Sequence, residues 1–218
     1  ADGSIVVTSA MGSITLNDTN SDGVALRTNG SGDILVDANT AILVYADALA
    51  QSGNVSLSAG THIAQAANIM TQGGTIDLQA GTDVVMIDGV QTVSNGGDVS
   101  INAASDVILA GIDAGTGSVV IVSVTGSILD GGDANADITA SGLILTAAGD
   151  IGTTTNALEI EVDQISAFSA TGDIVLTEVD DILVDRVTVV ITRITGIVQY
   201  STALKLSLLP ILLSRLPP

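Results

Sequence analysis

Acidic and amide side chains near the start of the chain are spaced as in a calcium loop. The stretch Asp18-Thr-Asn20-Ser-Asp22-Gly23 has the form D-x-N-x-D-G, in which alternate side-chain oxygens can face one cation. The twelfth position is Asn29, where an EF-hand needs a bidentate glutamate. The sequence therefore makes Asp18, Asn20 and Asp22 candidate calcium ligands, with a polar turn as the alternative.

A second stretch, Asp133-Ala-Asn135-Ala-Asp137, repeats this alternation but has Ile138 where the loop needs glycine. We interpret it as a polar turn. The nonapeptide G-G-x-G-x-D of calcium-binding β-rolls does not occur in the chain, which argues against that class of protein.

His62 is the only histidine and so the natural candidate for a catalytic base. A Ser–His–Asp system needs an acid that orients the histidine. We instead expect His62 on the surface, because it aligns with a column of polar turn residues in the repeats described below. The column contains Asp83, Asp106, Ser127, Asp150 and Asp181.

The aligned aspartates are candidates in their own right. If successive repeats stack as strands, the carboxylates of Asp83 and Asp106 lie about 5 Å apart. Such neighbours repel each other and could recruit a hard cation, whereas the alternative is a solvated acidic edge that limits aggregation. Pectate-lyase-like enzymes also carry carboxylates on a β-helix, but they add Arg or Lys for the substrate, and only Arg27 precedes Arg186. We therefore expect no enzyme and no cofactor, calcium at Asp18 excepted.

The residues between Gly53 and Gly111 form three successive repeats, called lines here, that share one apolar pattern. The structure formed by these repeats must position the candidate residues above. A fixed period near twenty residues indicates an array of stacked units. The pattern has three columns, each with nearly equal steps between its members: Val55, Ile76 and Val99; Ile63, Val84 and Val107; Ile69, Val90 and Ile112.

The columns extend in both directions. The first column gains Ile14, Ile34, Val119 and Leu143, and the second gains Ile42, Ile128 and Ile151. The next aliphatic residue of the second column is Ile182, which follows Ile151 by well over one period. We expect the segment Thr153–Ala170 to absorb this excess as a bulged loop or an extra short strand.

Short runs such as Asn54–Ala59 alternate polar and apolar residues and end at glycines, which predicts strands with one wet and one dry face. One line cannot bury its own apolar face, but stacked lines can. The predicted fold is all-β, a right-handed parallel β-helix (solenoid) of about eight coils of roughly 21 residues. The residues of the first two columns should point inward, and Asp77 should point outward into solvent.

The composition agrees with a thin aliphatic core, since 46% of residues are hydrophobic and 1% aromatic. The absence of cysteine excludes disulfides and thiolate metal sites. All 24 acidic residues precede Arg186, so residues 1–185 carry 1 − 24 = −23, and this body should repel nucleic acid and anionic membranes. No apolar run reaches the roughly 18–20 residues that span a bilayer.

The chain changes character at Arg186. Residues 1–185 form the predicted repeat domain, and residues 186–218, with no acid and all three prolines, form an atypical tail. We expect strands through about Gln199 and then a leucine-rich piece with helical spacing. The tail is interpreted as a cap on the last coil, as a non-native end, or as a membrane-interacting segment. Because the chain opens on Ala1 already in pattern, we expect it to be a piece of a longer protein.

The lines GNVSLSAGTHI, GDVSINAASDVILAG and LILTAAGDIG, with ALEIEVDQISAFSATGDIVLTE, resemble filamentous-haemagglutinin-type β-helix repeats over about residues 1–185. Such repeats occur in large secreted bacterial surface proteins and adhesins. The resemblance implies export across a Gram-negative envelope, an extracellular or cell-surface location, and a stalk-like role in adhesion.

We therefore expect a structural or adhesive repeat segment that acts as a rigid stalk or display scaffold. Its expected partners are neighbouring repeats of a longer chain and a glycan or protein receptor, with no nucleic acid and no membrane span. Two alternatives stay open at this point: a polysaccharide-acting β-helix enzyme and a calcium-stabilised extracellular binding module.

Overall fold

The computed structural model describes residues 3–132, 135–195 and 202–207, and every helix or strand in these ranges is a β-strand. The chain winds as a parallel β-solenoid of about 7 turns, in which short strands stack into three columns. This confirms the predicted all-β parallel fold and its repeat of roughly 21 residues. The right-handed winding stays a prediction from the general preference of parallel crossovers.

The first column contains long strands that pair in parallel without a shift of register. Numbered in chain order, they are β1 Ile5–Ser9, β4 Ile34–Ala38, β7 Val55–Ala59, β10 Ile76–Ala80, β13 Val99–Ala103, β16 Ser118–Ser123, and the second halves of β18 Ile138–Ala147 and β19 Leu158–Ser169. The eight strands are separated by seven steps, so the eight predicted coils correspond to about 7 turns.

The second column contains strands of three residues: β2 Ile14–Leu16, β5 Ile42–Val44, β8 Ile63–Gln65, β11 Val84–Met86, β14 Val107–Leu109 and β17 Ile128–Asp130. The third column contains β3 Val24–Thr28, β6 Asp47–Ala50, β9 Ile69–Met70, β12 Gln91–Val93, β15 Gly111–Asp113, the first halves of β18 and β19, and β20 Leu176–Glu178. A two-residue strand, β21 Leu183–Val184, pairs with the second half of β19.

Aliphatic side chains of the three columns face one another and form one continuous core. Ile76 pairs with Val55 on one side and with Val99 on the other, as the sequence predicts. The residues predicted to point inward from the first two columns are all 0% exposed: Val55, Ile76, Val99, Ile63, Val84 and Val107.

The predicted column is wrong for Ile14. Ile14 pairs with Ile42 in the second column, and Ile5 is the residue that pairs with Ile34 in the first. The first coil, from Ile5 to Ile34, is longer than one period because an extra turn at residues 17–23 separates β2 from β3. That insertion gave Ile14 the spacing of a first-column residue.

Val90 is also wrongly placed, since Thr92 pairs with Ile69 and Ile112 in the third column. Thr92 is fully buried, and its hydroxyl donates a hydrogen bond to Gln65 Oε1 at 3.1 Å. This hydrogen bond inside the core allows a polar residue at a column position where the sequence pattern predicts an aliphatic one.

The second column ends differently from the prediction. Ile174, and not Ile182, continues it, because parallel bridges join Ile128 to Ile151 and Ile151 to Ile174. The segment Thr153–Ala170 forms neither the predicted bulged loop nor an extra short strand. After a tight turn it contains β19, the longest strand described, which runs from the third column into the first.

Glycines recur just before the first-column strands because successive coils approach too closely there for a side chain. A Cβ on Gly74 would collide with the carbonyl oxygen of Gly53, and a Cβ on Gly97 would collide with that of Gly74. Because glycine has no Cβ, it permits this approach. The same contact with the preceding coil recurs at Gly32, Gly53 and Gly117.

After the last coil the chain turns back along the outside of the first column. The strand β22 Thr188–Arg193 pairs antiparallel with β23 Thr202–Ser207 and lies across β10, β13 and β16. A small apolar cluster joins it to outward side chains of the solenoid. The cluster contains Val120, Ile144, Val187, Val189 and Ile191.

Polar contacts continue this lateral docking towards the earlier coils. The Arg193 guanidinium forms a salt bridge with the Asp77 carboxylate, which is 1% exposed. The Val190 N–H donates to Asp98 Oδ2 at 2.6 Å, and the Ile194 N–H donates to Ser56 Oγ at 3.0 Å. The prediction that Asp77 lies in solvent is therefore wrong, because the tail covers it.

The described part of the tail, from Val187 to Ile194, covers a side of the solenoid, and the cap predicted from the leucines of residues 204–216 stays a prediction. Residues 204–207 belong to β23 and so do not start a helix. The rest of the leucine-rich piece, from Leu208 to Leu216, lies outside the described residues. The domain boundary at Arg186 and the native origin of the tail stay predictions.

The substitution Ile76→Asp should lower the free energy of unfolding by about 4 kcal/mol or more, because it places an unpaired charge between two coils. The control is Ser58→Asp, which puts the same charge at an outward position of the neighbouring strand. Urea unfolding measures both. If Ile76→Asp unfolds like the parent, the register is wrong by one residue.

The substitution Arg193→Ala should weaken docking of the tail by about 3 kcal/mol, because it leaves the Asp77 carboxylate buried without its cation. We expect trypsin to cleave faster after Arg186 while the solenoid stays intact. Arg27→Ala removes a cation from an exposed site and should leave the cleavage rate unchanged. Equal rates in the parent and Arg193→Ala would contradict the docking.

Candidate functional site

The corners of the solenoid carry stacked polar residues whose side chains bond to the next coil. At the corner before the first column, the Asn54 N–H donates to Asp33 Oδ1 at 2.8 Å, and the Thr75 N–H donates to Asn54 Oδ1 at 2.9 Å. The Ser118 N–H likewise donates to Asp98 Oδ1 at 2.8 Å. We call such a series a corner ladder.

The aspartates suggested as a cation column form the second corner ladder. The Asp106 N–H donates to Asp83 Oδ1 at 3.1 Å, and the Ser127 N–H donates to Asp106 Oδ1 at 2.8 Å. The ladder continues through Asp150 to Asp173, and not to Asp181 as the alignment predicted. These carboxylates thus accept hydrogen bonds from the protein's own backbone.

The corner ladders form because some backbone N–H groups at the corners need an acceptor from a side chain. Before each first-column strand, the carbonyl of one coil accepts from the preceding coil, as Asn54 O does from the Ile34 N–H at 2.8 Å. The N–H of the same residue then takes its acceptor from the Asp33 side chain. A short polar side chain supplies it, since unpaired backbone groups are costly. His62 lies at the other corner, before the second column, and is exposed as predicted.

The predicted calcium residues lie together in the turn between β2 and β3. Asp18 Oδ1 accepts the N–H groups of Asn20 and Ser21, and its Oδ2 accepts that of Gly23 at 2.8 Å. These bonds, that of Gly23 foremost, hold the pKa of the Asp18 carboxyl below its usual range. Asn20 Nδ2 donates to Asp22 Oδ2, so the turn is held by its own polar groups. Calcium at this turn stays a prediction.

A third corner ladder precedes the third column, where the Asn68 N–H donates to Asp47 Oδ1 at 2.9 Å. A second group of carboxylates lies further along this ladder, near the end of the second column. Asp130 ends β17, Asp137 immediately precedes β18, and Glu159 lies near the start of β19. One carboxylate oxygen of each lies within 4.8 Å of those of the others. We call these three residues the carboxylate cluster.

Backbone donors hold one oxygen of two of the carboxylates. The Gly132 N–H donates to Asp130 Oδ1 at 2.8 Å, and the Glu159 N–H donates to Asp137 Oδ2 at 3.0 Å. Within the described part of the chain, the buried atoms Asp130 Oδ2, Asp137 Oδ1 and Glu159 Oε2 have no hydrogen-bond partner. Asp130 and Asp137 are thus fixed by the backbone, and all three residues keep one oxygen free.

Burial controls the protonation of Asp137. Asp137 is 1% exposed, while Asp130 and Glu159 are half-buried. Burial raises the pKa of Asp137 to about 8, and the charges of Asp130 and Glu159 act in the same direction. Without a cation, Asp137 therefore keeps its proton near neutral pH.

The sequence pointed to only one member of the cluster, Asp137, at the end of the weaker calcium-like stretch. Asp130 and Glu159 lie outside that stretch, on either side of it, so no local motif connects the three. The available signal was the repeat itself, because the step from Asp137 to Glu159 is one coil.

No protein-family model, curated protein or solved structure matches this chain. The class that the geometry defines is a parallel β-solenoid. The described part of the chain has no helix that could cross a bilayer.

The second corner ladder predicts that Asp106→Ala lowers the free energy of unfolding by about 1–2 kcal/mol, because the Ser127 N–H loses its acceptor. Asp106→Asn keeps an oxygen at that position and should stay within about 0.5 kcal/mol of the parent. Chemical denaturation compares the three proteins. Equal losses for the alanine and asparagine variants would show that the ladder bond contributes nothing.

The carboxylate cluster predicts a falling stability with rising pH in the presence of a chelator. Between the ordinary pKa of 3.8 and the folded value of about 8, the folded chain holds a proton at Asp137 that the unfolded chain releases. Stability is therefore lost as pH rises through this window. Melting temperatures from pH 5 to pH 9 should fall more steeply in the parent than in Asp137→Asn, and identical slopes would contradict the prediction.

Proposed function

We propose that this chain is a structural segment of a secreted bacterial surface protein, a rigid spacer that extends or displays an adhesive region. The observation that carries the proposal is the in-register stack of eight first-column strands, in which each coil bonds to the next through both backbone and corner side chains. Such a stack is extended and resists bending, as a stalk must.

The use of the polar residues supports the same proposal. Asp83 and Asp106, the carboxylates suggested for a polysaccharide-acting site, accept backbone N–H groups of the next coil. His62 lies exposed at a corner, and Tyr45 and Phe168 lie on the surface as single aromatic residues. His62 and the two aspartates are thus neighbours in one corner column, and the aspartates serve the backbone there.

The last coil indicates what neighbours the segment has. Among the described strands, β20 and β21 pair only with β19, and Val179, Leu183 and Val184 are more than half exposed. An open strand edge beside exposed aliphatic residues suits a further coil of the same kind. We infer that the partners are adjoining repeats of a longer chain, and that an adhesive receptor, a glycan or a protein, is met elsewhere on that chain.

Antibodies against the purified chain test the location. Labelling of intact cells of the source organism, or detection in the culture medium, is the expected result. A signal that appears only after the cells are lysed would overturn the proposal of a surface protein.

Deletion of one whole coil tests the spacer role. Removing residues 34–54 deletes one full period, from Ile34 up to Val55, and leaves Ile5, Ile14 and Leu26 to stack on Val55, Ile63 and Ile69. A spacer should fold cooperatively and stay surface-displayed after this deletion. Removal of residues 34–44 alone breaks the register and is the matched control. A whole-coil deletion that unfolds like the control would contradict a modular spacer.

A further inference from the structure

The carboxylate cluster concentrates negative charge without an internal partner. Asp130, Asp137 and Glu159 each hold a buried oxygen that lacks a hydrogen bond within the described residues. The salt bridge found among those residues joins Arg193 to Asp77 and leaves the cluster without a cation. Buried carboxylate oxygens without a hydrogen bond are costly unless a proton or a cation joins them, and these three carboxylates lie close enough to share one.

The orientation of the side chains favours a cation. The N–H groups of Gly132 and Glu159 bind one oxygen of Asp130 and one of Asp137, so the remaining oxygens are directed by the backbone. The most buried of the three, Asp137, is 1% exposed, and its Oδ1 is buried without a hydrogen-bond partner among the described residues. This is a built arrangement of oxygens and differs from an acidic patch in solvent.

The chemistry of the donors selects the kind of cation. All donors are carboxylate oxygens, which hard cations prefer, and nitrogen or sulfur ligands are not among them. Calcium binds oxygens at about 2.4 Å, so two ligands on opposite sides of the ion lie up to about 4.8 Å apart. The oxygens of the cluster all lie within 4.8 Å of one another, which one calcium sphere can span. Magnesium shares the preference for oxygen and is the competing ion, but it demands a stricter octahedron and gives up its water reluctantly.

We propose that Asp130, Asp137 and Glu159 form a calcium site that ties two adjoining coils of the solenoid together at their corner. Water completes the coordination, since Asp130 and Glu159 are half-buried and open to solvent. The ion crosses from the end of β17 to the starts of β18 and β19, and it replaces the proton that Asp137 otherwise holds. The site is independent of the spacer role proposed above.

The rival occupant is that proton on Asp137. The two occupants make opposite predictions. Calcium binding must weaken as the pH falls, because protons compete for the carboxylates. A proton alone leaves the protein indifferent to calcium.

Calorimetric titration of the chelator-treated full chain with calcium chloride at pH 7.5 tests the site. We expect binding, a rise in melting temperature, and weaker binding when the titration is repeated at pH 5.5. Asp137→Asn keeps the acceptor for the Glu159 N–H and should bind calcium at least about tenfold more weakly. Glu159→Gln should do the same and serves if Asp137→Asn does not fold.

Two controls locate the effect. Glu161→Gln removes an exposed charge two residues along the same strand and should bind like the parent. A chain with Asp18, Asn20 and Asp22 changed to alanine should also bind like the parent, because its loop lies at the other end of the solenoid. Loss of binding in that chain with retention in Asp137→Asn would overturn the proposal, as would the absence of heat and stabilisation up to about 10 mM calcium. Magnesium binding as tight as calcium binding would overturn the choice of ion.

Discussion

The fold depends on how closely successive coils approach at their corners. Strands that stack at about 4.8 Å leave no room for a Cβ where the chain turns, as the contact between Gly74 and the Gly53 carbonyl shows. The residue after such a glycine also has an N–H group for which the preceding coil offers no backbone carbonyl. A short polar side chain of that coil, such as Asp33 or Asn54, supplies the acceptor. Glycine followed by a small polar residue is therefore a structural unit here.

The corners also explain why so acidic a chain can fold. Aspartate suits a corner ladder because its oxygens accept without donating, and Asp33, Asp98 and Asp106 each bind an N–H of the next coil. The tail then places a positively charged side chain on one side of the acidic solenoid, where Arg193 forms a salt bridge with Asp77. Where Asp137 and Glu159 follow each other in the third ladder and Asp130 lies beside them, carboxylate oxygens exceed the available donors. That surplus distinguishes the carboxylate cluster from the rest of the corners.

The architecture was readable from the sequence because the apolar spacing between Gly53 and Gly111 is regular. Prediction failed where one coil changed length or a polar residue took a core position. The turn around Asp18 lengthened the first coil and misplaced Ile14, and Thr92 was missed because its hydroxyl is paired inside the core. The lateral docking of the tail and the carboxylate cluster depend on contacts between distant residues, such as Arg193 with Asp77, and no local pattern encodes these.

Residue-resolved amide hydrogen exchange tests the corner ladders most directly, because each ladder bond protects one identifiable N–H. The account predicts that the amides of Asn54, Thr75 and Ser127 exchange as slowly as those of the adjoining strand residues Val55, Ile76 and Ile128. Exchange of these corner amides at the rate of open turns, while the strand amides stay protected, would contradict it.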